Sequence, residues 1–134
     1  MENKSYIKML KHLEKILIQK INENEQYEIE YNENYIEPLI NLLKELGLDD
    51  ITLETEIDAD GDEVPSCGIF IDYKKNKFVH YDVEDPGRMT HNYTNISPIE
   101  YITLIIDYLN QEKEAKHIKI KSLKSELQKI IEKL

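Results

Sequence analysis

Three groups of side chains have the types and spacing to do chemistry. The first is His80, Asp82 and His91. His80 and Asp82 are two apart, so on a strand they share one face, and the loop expected after that strand could return His91 to them. Two imidazoles and a carboxylate suffice for a catalytic zinc or non-haem iron site. The second is Asp58-Ala59-Asp60-Gly61-Asp62-Glu63, four carboxylates within six residues. A calcium-binding EF-hand loop needs oxygen ligands at positions 1, 3 and 5, glycine at 6 and glutamate at 12. Counted from Asp58, glycine falls at position 4, Glu63 at 6 and Ile69 at 12. The segment therefore reads as a polar hairpin loop, and no cofactor is expected. The third is the single cysteine, Cys67. A nucleophilic thiol needs a base and a lowered pKa. No histidine is near Cys67 in sequence, so it reads as a small buried hydrophobe.

No glycine-rich phosphate loop, G-x-S-x-G or C-x-x-C pattern is present. One cysteine excludes an internal disulfide. The first residues, MENKSYIKML, contain neither the apolar run nor the small-residue cleavage site of an export signal. No apolar stretch approaches the ~20 residues that span a bilayer. A cytoplasmic location without membrane association is the expectation.

Charge carries the most information. The 134 residues have a formal net charge of −10, and 33% are charged, above the usual quarter. The acids are segregated. Residues 21–72 hold sixteen acids and one base, Lys44, whereas 1–20 and 113–134 are net basic by three and four charges. Glu28 and Glu30, then Glu54 and Glu56, alternate with apolar or small residues, which puts each pair on one strand face ~6.6 Å apart. Two adjacent strands of this kind approach the ~3.4 Å charge spacing along one DNA strand.

The elements that must position these residues follow from periodicity. Tyr6, Leu10, Leu13, Leu17 and Ile21 mark an amphipathic helix over 5–21. Tyr27, Ile29 and Tyr31 alternate with glutamates and predict a strand. Leu39, Leu42, Leu43 and Leu46 predict a helix within 34–46, with Pro38 in its first turn and Gly47 as its left-handed stop. Strands are expected at 51–57, 67–73 and 77–83. A three-residue connection, Lys74-Lys75-Asn76, would pair Ile71 with Val79, Ile69 with Tyr81 and Cys67 with Val83 on an apolar face. Phe70, Asp72, Phe78, His80 and Asp82 would then occupy the other face. Asn76 tolerates the left-handed conformation at the end of such a loop. Residues 84–96 read as a loop. Ser97-Pro98-Ile99-Glu100 is a capping box opening a helix with Ile102, Ile105, Ile106 and Leu109 on its inner stripe. Ile120, Leu123, Leu127, Ile130 and Leu134 form a short heptad seam. The prediction is an α+β fold: an antiparallel sheet of three to four strands with flanking helices, in the order α-β-α-β-β-β-α(α). It forms a single domain over 1–134, with 117–134 as a semi-independent helical segment.

In size, acidity and its AT-rich-codon residue usage (Lys, Ile, Asn and Tyr), the chain resembles small acidic proteins of phages and plasmids. These include anti-restriction and anti-CRISPR inhibitors and immunity or antitoxin proteins. The resemblance implies a non-enzymatic nucleic-acid mimic that neutralises a basic, nucleic-acid-handling protein. The acid excess of 21–72, rather than the resemblance, gives the expected contact residues: Glu28, Glu30, Glu54, Glu56, Asp58, Asp60, Asp62 and Glu63. Two other readings compete: an assembly module dimerising through its terminal helices, and a small metalloenzyme using His80, Asp82 and His91. Direct nucleic-acid binding runs against the charge balance, since it depends on Lys and Arg neutralising phosphates. Fluorescence anisotropy at about 0.15 M salt should show no sub-micromolar affinity for duplex or single-stranded DNA; such an affinity would overturn the charge argument.

Overall fold

The computed structural model describes residues 2–23, 36–85, 90–111, 125, 128–130 and 132. Their elements are α1 (Glu2–Glu23), α2 (Ile36–Glu45), β1 (Asp50–Ile57), β2 (Glu63–Asp72), β3 (Lys77–Asp85), β4 (Thr90–Ile96) and α3 (Pro98–Asn110). The strands form one antiparallel sheet in the order β1-β2-β3-β4, with helices before and after it in the chain. This is the expected α+β class. The strand expected at 27–31 lies outside the described residues. The fourth strand is instead β4, inside the segment expected to be a loop. Its sequence, Thr-His-Asn-Tyr-Thr-Asn-Ile, lacks apolar alternation, and its side chains are mostly exposed. Ladder hydrogen bonds to β3 hold it, and periodicity does not report those.

The chain divides into two compact units, one of residues 1–48 and 97–134 and one of residues 49–96. In the first, α1 buries Tyr6, Leu10, Leu13 and Leu17, one stripe at steps of four, three and four. It packs against α3, and the Thr103 hydroxyl of α3 donates to the Glu14 carboxylate of α1. Helix α2 buries Leu39, Ile40, Leu42 and Leu43. Its end is a Schellman motif. Gly47 has φ 74° and donates to the Lys44 carbonyl at 3.0 Å, while the Leu48 N–H donates to Leu43 at 2.8 Å. Leu43 and Leu48 are both buried, the apolar contact positions of that motif. The Leu48 carbonyl then accepts the buried Tyr101 hydroxyl of α3 at 2.6 Å. One phenol thus ties the exit of α2 to α3.

Helix α3 starts with the expected capping box. The Glu100 N–H donates to Ser97 Oγ at 3.1 Å, and the Ser97 N–H reaches Glu100 Oε1 at 3.5 Å. Tyr101, Ile102, Ile105, Ile106 and Leu109 are its buried stripe. In the C-terminal seam the described residues 125, 128–130 and 132 are helical and Ile130 is buried. Ile120, Leu123, Leu127 and Leu134 lie outside the described residues.

In the second unit, the β2–β3 connection has four residues, Tyr73–Asn76, not three. Asp72 pairs with Lys77, Ile71 with Phe78, Ile69 with His80 and Cys67 with Asp82. The physical reason is Asp72. Its carboxylate accepts from the Lys74 and Lys75 N–H groups at 3.1 and 3.3 Å, so the turn begins at Asp72. Asn76 closes it at φ 51°, as its side chain permits. The one-residue slip exchanges the β3 faces. Phe78, His80 and Asp82 join Ile71, Ile69 and Cys67, whereas Val79 and Tyr81 join Phe70 and Gly68.

Three substitutions test this architecture by urea unfolding. Ser97→Ala should cost about 0.5–2 kcal/mol through the lost cap, and Leu109→Ala about 2–5 kcal/mol through a core cavity. Tyr101→Phe should cost about 1–3 kcal/mol by removing the buried hydrogen bond to Leu48. A neutral Tyr101→Phe would show that the tie between α2 and α3 contributes nothing.

Candidate functional site

The β1–β2 hairpin concentrates the acids of the second unit. Residues 49–63 hold Asp49, Asp50, Glu54, Glu56, Asp58, Asp60, Asp62 and Glu63, and no Lys, Arg or His. Asp50, Glu54, Glu56, Asp60, Asp62 and Glu63 are exposed and Asp58 is half-buried. Local chemistry builds the hairpin. Asp58 Oδ1 accepts from the N–H groups of Asp60 and Asp62, both at 2.9 Å, and the Asp58 N–H donates to the Asp62 carbonyl at 2.9 Å. Gly61 turns the chain at φ 84°. The carboxylate oxygens of Asp58, Asp60 and Asp62 consequently lie within 4.8 Å of one another. The Thr55 hydroxyl donates to Glu63 at 2.6 Å, closing the strand ends. At the far end of β1 the Tyr73 hydroxyl donates to Asp49 at 2.6 Å. Partial burial, then that carboxylate, push the Tyr73 phenol up to about 12.

The register around Glu54 and Glu56 is irregular. Register shifts on both sides of Glu54 place it opposite Cys67, whereas Glu56 stands opposite Val64. Between those partners Ser66 is the extra residue on β2, as Glu54 and Thr55 stand opposite Cys67 and Pro65. A β-bulge of this kind is common on an edge strand, and among the described residues β1 is one. Glu28 and Glu30, the other expected pair, lie outside the described residues.

The His80, Asp82 and His91 group is not assembled. His91 pairs with Val83, and His80 and Asp82 pair with Thr94 and Asn92, so His91 belongs to the other face. There its ring meets Tyr81 edge-on at 5.2 Å and its Nε2–H donates to the Pro65 carbonyl at 3.1 Å. Phe70, Tyr81 and Tyr93 complete that aromatic face, with centroids 6.2 Å apart. Tyr81 pairs with Gly68, and a Cβ at Gly68 would run into the Tyr81 ring and the Ile51 carbonyl oxygen. The glycine is what lets the phenol cross β2 and share a hydrogen bond with Thr52; burial is the main cause that raises its pKa.

Cys67 is half-buried, and it does have a histidine beside it. His80 Nε2 is 3.5 Å from the sulfur. Burial first, then Glu54 and Asp82, raise the thiol pKa. The pair is thirteen residues apart in sequence, and only the four-residue turn brings both side chains to one face. The Asp72 carboxylate two residues before Lys74 was the signal that could have revealed it.

Comparison of the chain with protein-family models, curated proteins and solved structures returns no match. Among the described residues no helix is long and apolar enough to cross a membrane.

The Gly68 packing has a direct test. Gly68→Ala should destabilise the protein by about 1–3 kcal/mol in urea unfolding, as overpacking does. Adding Tyr81→Ala should not restore stability, because the Ile51 carbonyl oxygen still blocks the new methyl. Full restoration would mean that Tyr81 alone excludes a side chain there.

Proposed function

We propose that this chain is a non-enzymatic acidic binding protein that occupies the basic site of a nucleic-acid-handling protein in the cytosol and so inhibits or neutralises it. The observation that carries this reading is the hairpin of residues 49–63, eight carboxylates with no positive side chain among them, six of them exposed. A field of one sign attracts a basic partner and speeds encounter. The turn at Asp58 and the β1–β2 ladder hold the backbone under those acids, which limits the ordering cost of docking. Glu54, Glu56, Asp60, Asp62 and Glu63 supply the contacts, and Asp58 shapes the loop that presents them. The imidazoles contribute no catalytic centre to this reading, since His91 stands apart from His80 and Asp82.

Capture from a bacterial lysate at low salt, read by mass spectrometry, tests the proposal. The wild-type chain should retain a basic nucleic-acid-binding protein that is released as salt rises. Glu54→Lys with Glu56→Lys should lower retention at least tenfold while the circular dichroism stays unchanged, because both side chains are exposed. Retention that ignores both salt and the double reversal would overturn the acidic-surface reading.

A further inference from the structure

The Cys67 and His80 contact lies outside the acidic docking surface and has the geometry of a different chemistry. Zinc binds thiolate sulfur at about 2.3 Å and imidazole nitrogen at about 2.0 Å, and at a tetrahedral angle two such donors stand about 3.5 Å apart. Cys67 Sγ and His80 Nε2 are 3.5 Å apart. The two residues come from neighbouring strands, whose pairing holds their backbones at fixed spacing.

Carboxylates surround this pair. Asp82 is directly opposite Cys67 on β3, and Glu54 is opposite it on β1. Side chains directly opposite across an antiparallel pair have Cβ atoms about 4.5–5.5 Å apart. Glu54, Cys67 and Asp82 therefore form one row across three strands, with His80 diagonal to Cys67. We infer that Cys67 and His80 are the preformed half of a zinc-class metal site, completed by Asp82 and Glu54. Asp82 and Glu54 are exposed, so their carboxylates can rotate and a cation can enter. Among the described residues, Asp58, Asp60 and Asp62 are the one trio of donors already within 4.8 Å of one another. The carboxylate ligands at Cys67 must therefore swing inward on binding. A thiolate with an imidazole selects zinc or cobalt over calcium or magnesium, which the all-oxygen aspartate trio would favour. The carboxylates of Glu54 and Asp82 attract a cation, and metal binding displaces the thiol proton. Bound metal would tie β1, β2 and β3 together at the bulge.

The experiment is a Co²⁺ titration of the reduced full chain. The protein has one cysteine, so a sulfur-to-cobalt charge-transfer band reports Cys67 alone. The band should saturate at one equivalent and disappear on adding Zn²⁺. Cys67→Ser should abolish it, His80→Ala should weaken Co²⁺ binding at least tenfold, and Asp60→Asn with Asp62→Asn should leave it unchanged. A second readout needs no variant: saturating Zn²⁺ should slow alkylation of wild-type Cys67 by at least tenfold. Cobalt binding without the charge-transfer band, a band indifferent to His80→Ala, or alkylation unaffected by Zn²⁺ would each overturn the site. Glu54 belongs to both sites, but Cys67 and His80 do not belong to the docking surface, so Cys67→Ser and His80→Ala test the metal site while leaving partner capture intact.

Discussion

The turn at Tyr73–Asn76 decides what the sheet can do. Asp72 binds the N–H groups of Lys74 and Lys75, and Asn76 takes the left-handed conformation. Together they set the β2–β3 register, and because side chains alternate along a strand, that register decides the face of every β3 residue. It buries Phe78 beside Ile71 and brings His80 to Cys67. It also lays Tyr81 over Gly68, which leaves the glycine no room for a side chain. The β4 side chains inherit the same assignment through β3, so His91 is sent to the aromatic face with Tyr81 and Tyr93. A turn one residue shorter would exchange the β3 faces relative to β2, parting His80 from Cys67 and Tyr81 from Gly68.

Much of the fold could be read from the residues, and the reason differs by element. Local rules sufficed for the helices: Ser97 and Glu100 form their capping box, Gly47 ends α2, and the buried stripes of α1 and α3 match their apolar periods. Each of those signals lies within a few residues of the feature it specifies. The sheet class was also accessible, because strands that follow one another with short connections pair antiparallel. The register was not. Both candidate turns satisfy Asn76, and both bury apolar side chains, since β3 carries Phe78 and Val79 side by side and both are buried. With adjacent apolar residues, alternation cannot say which one faces inward. The side-chain hydrogen bonds of Asp72 break that tie. Strand β4 escaped for the opposite reason, having almost no apolar pattern to read.

The candidate sites divide along the same line. The exposure of the hairpin acids followed from composition and loop chemistry. The register of Glu54 and Glu56 against β2 was not readable, because shifts on both sides of Glu54 interrupt the regular pairing. The triad expected from sequence spacing combined His80 and Asp82, which do share a face, with a histidine on the other face. The residue that does stand beside His80 is Cys67, which a sequence search for nearby histidines passes over. Long-range pairing creates that contact, so no window along the chain contains it.

Among the described residues β1 is an edge strand, a place where exposed carboxylates have a structural use. A free edge offers unpaired backbone groups to other chains, and charge together with a bulge is a common defence. Asp50, Glu54 and Glu56 and the register shift at Glu54 meet both conditions. That role needs only a few charges of either sign. It does not require eight acids within residues 49–63 or a hairpin loop whose Asp58, Asp60 and Asp62 oxygens lie within 4.8 Å of one another. Asp58 accepts from the Asp60 and Asp62 N–H groups, which fixes the loop that carries these acids. Edge protection therefore accounts for the bulge and for charge on β1. The excess of one sign at the tip goes beyond that role, and it is this excess on which the proposal of a basic partner rests.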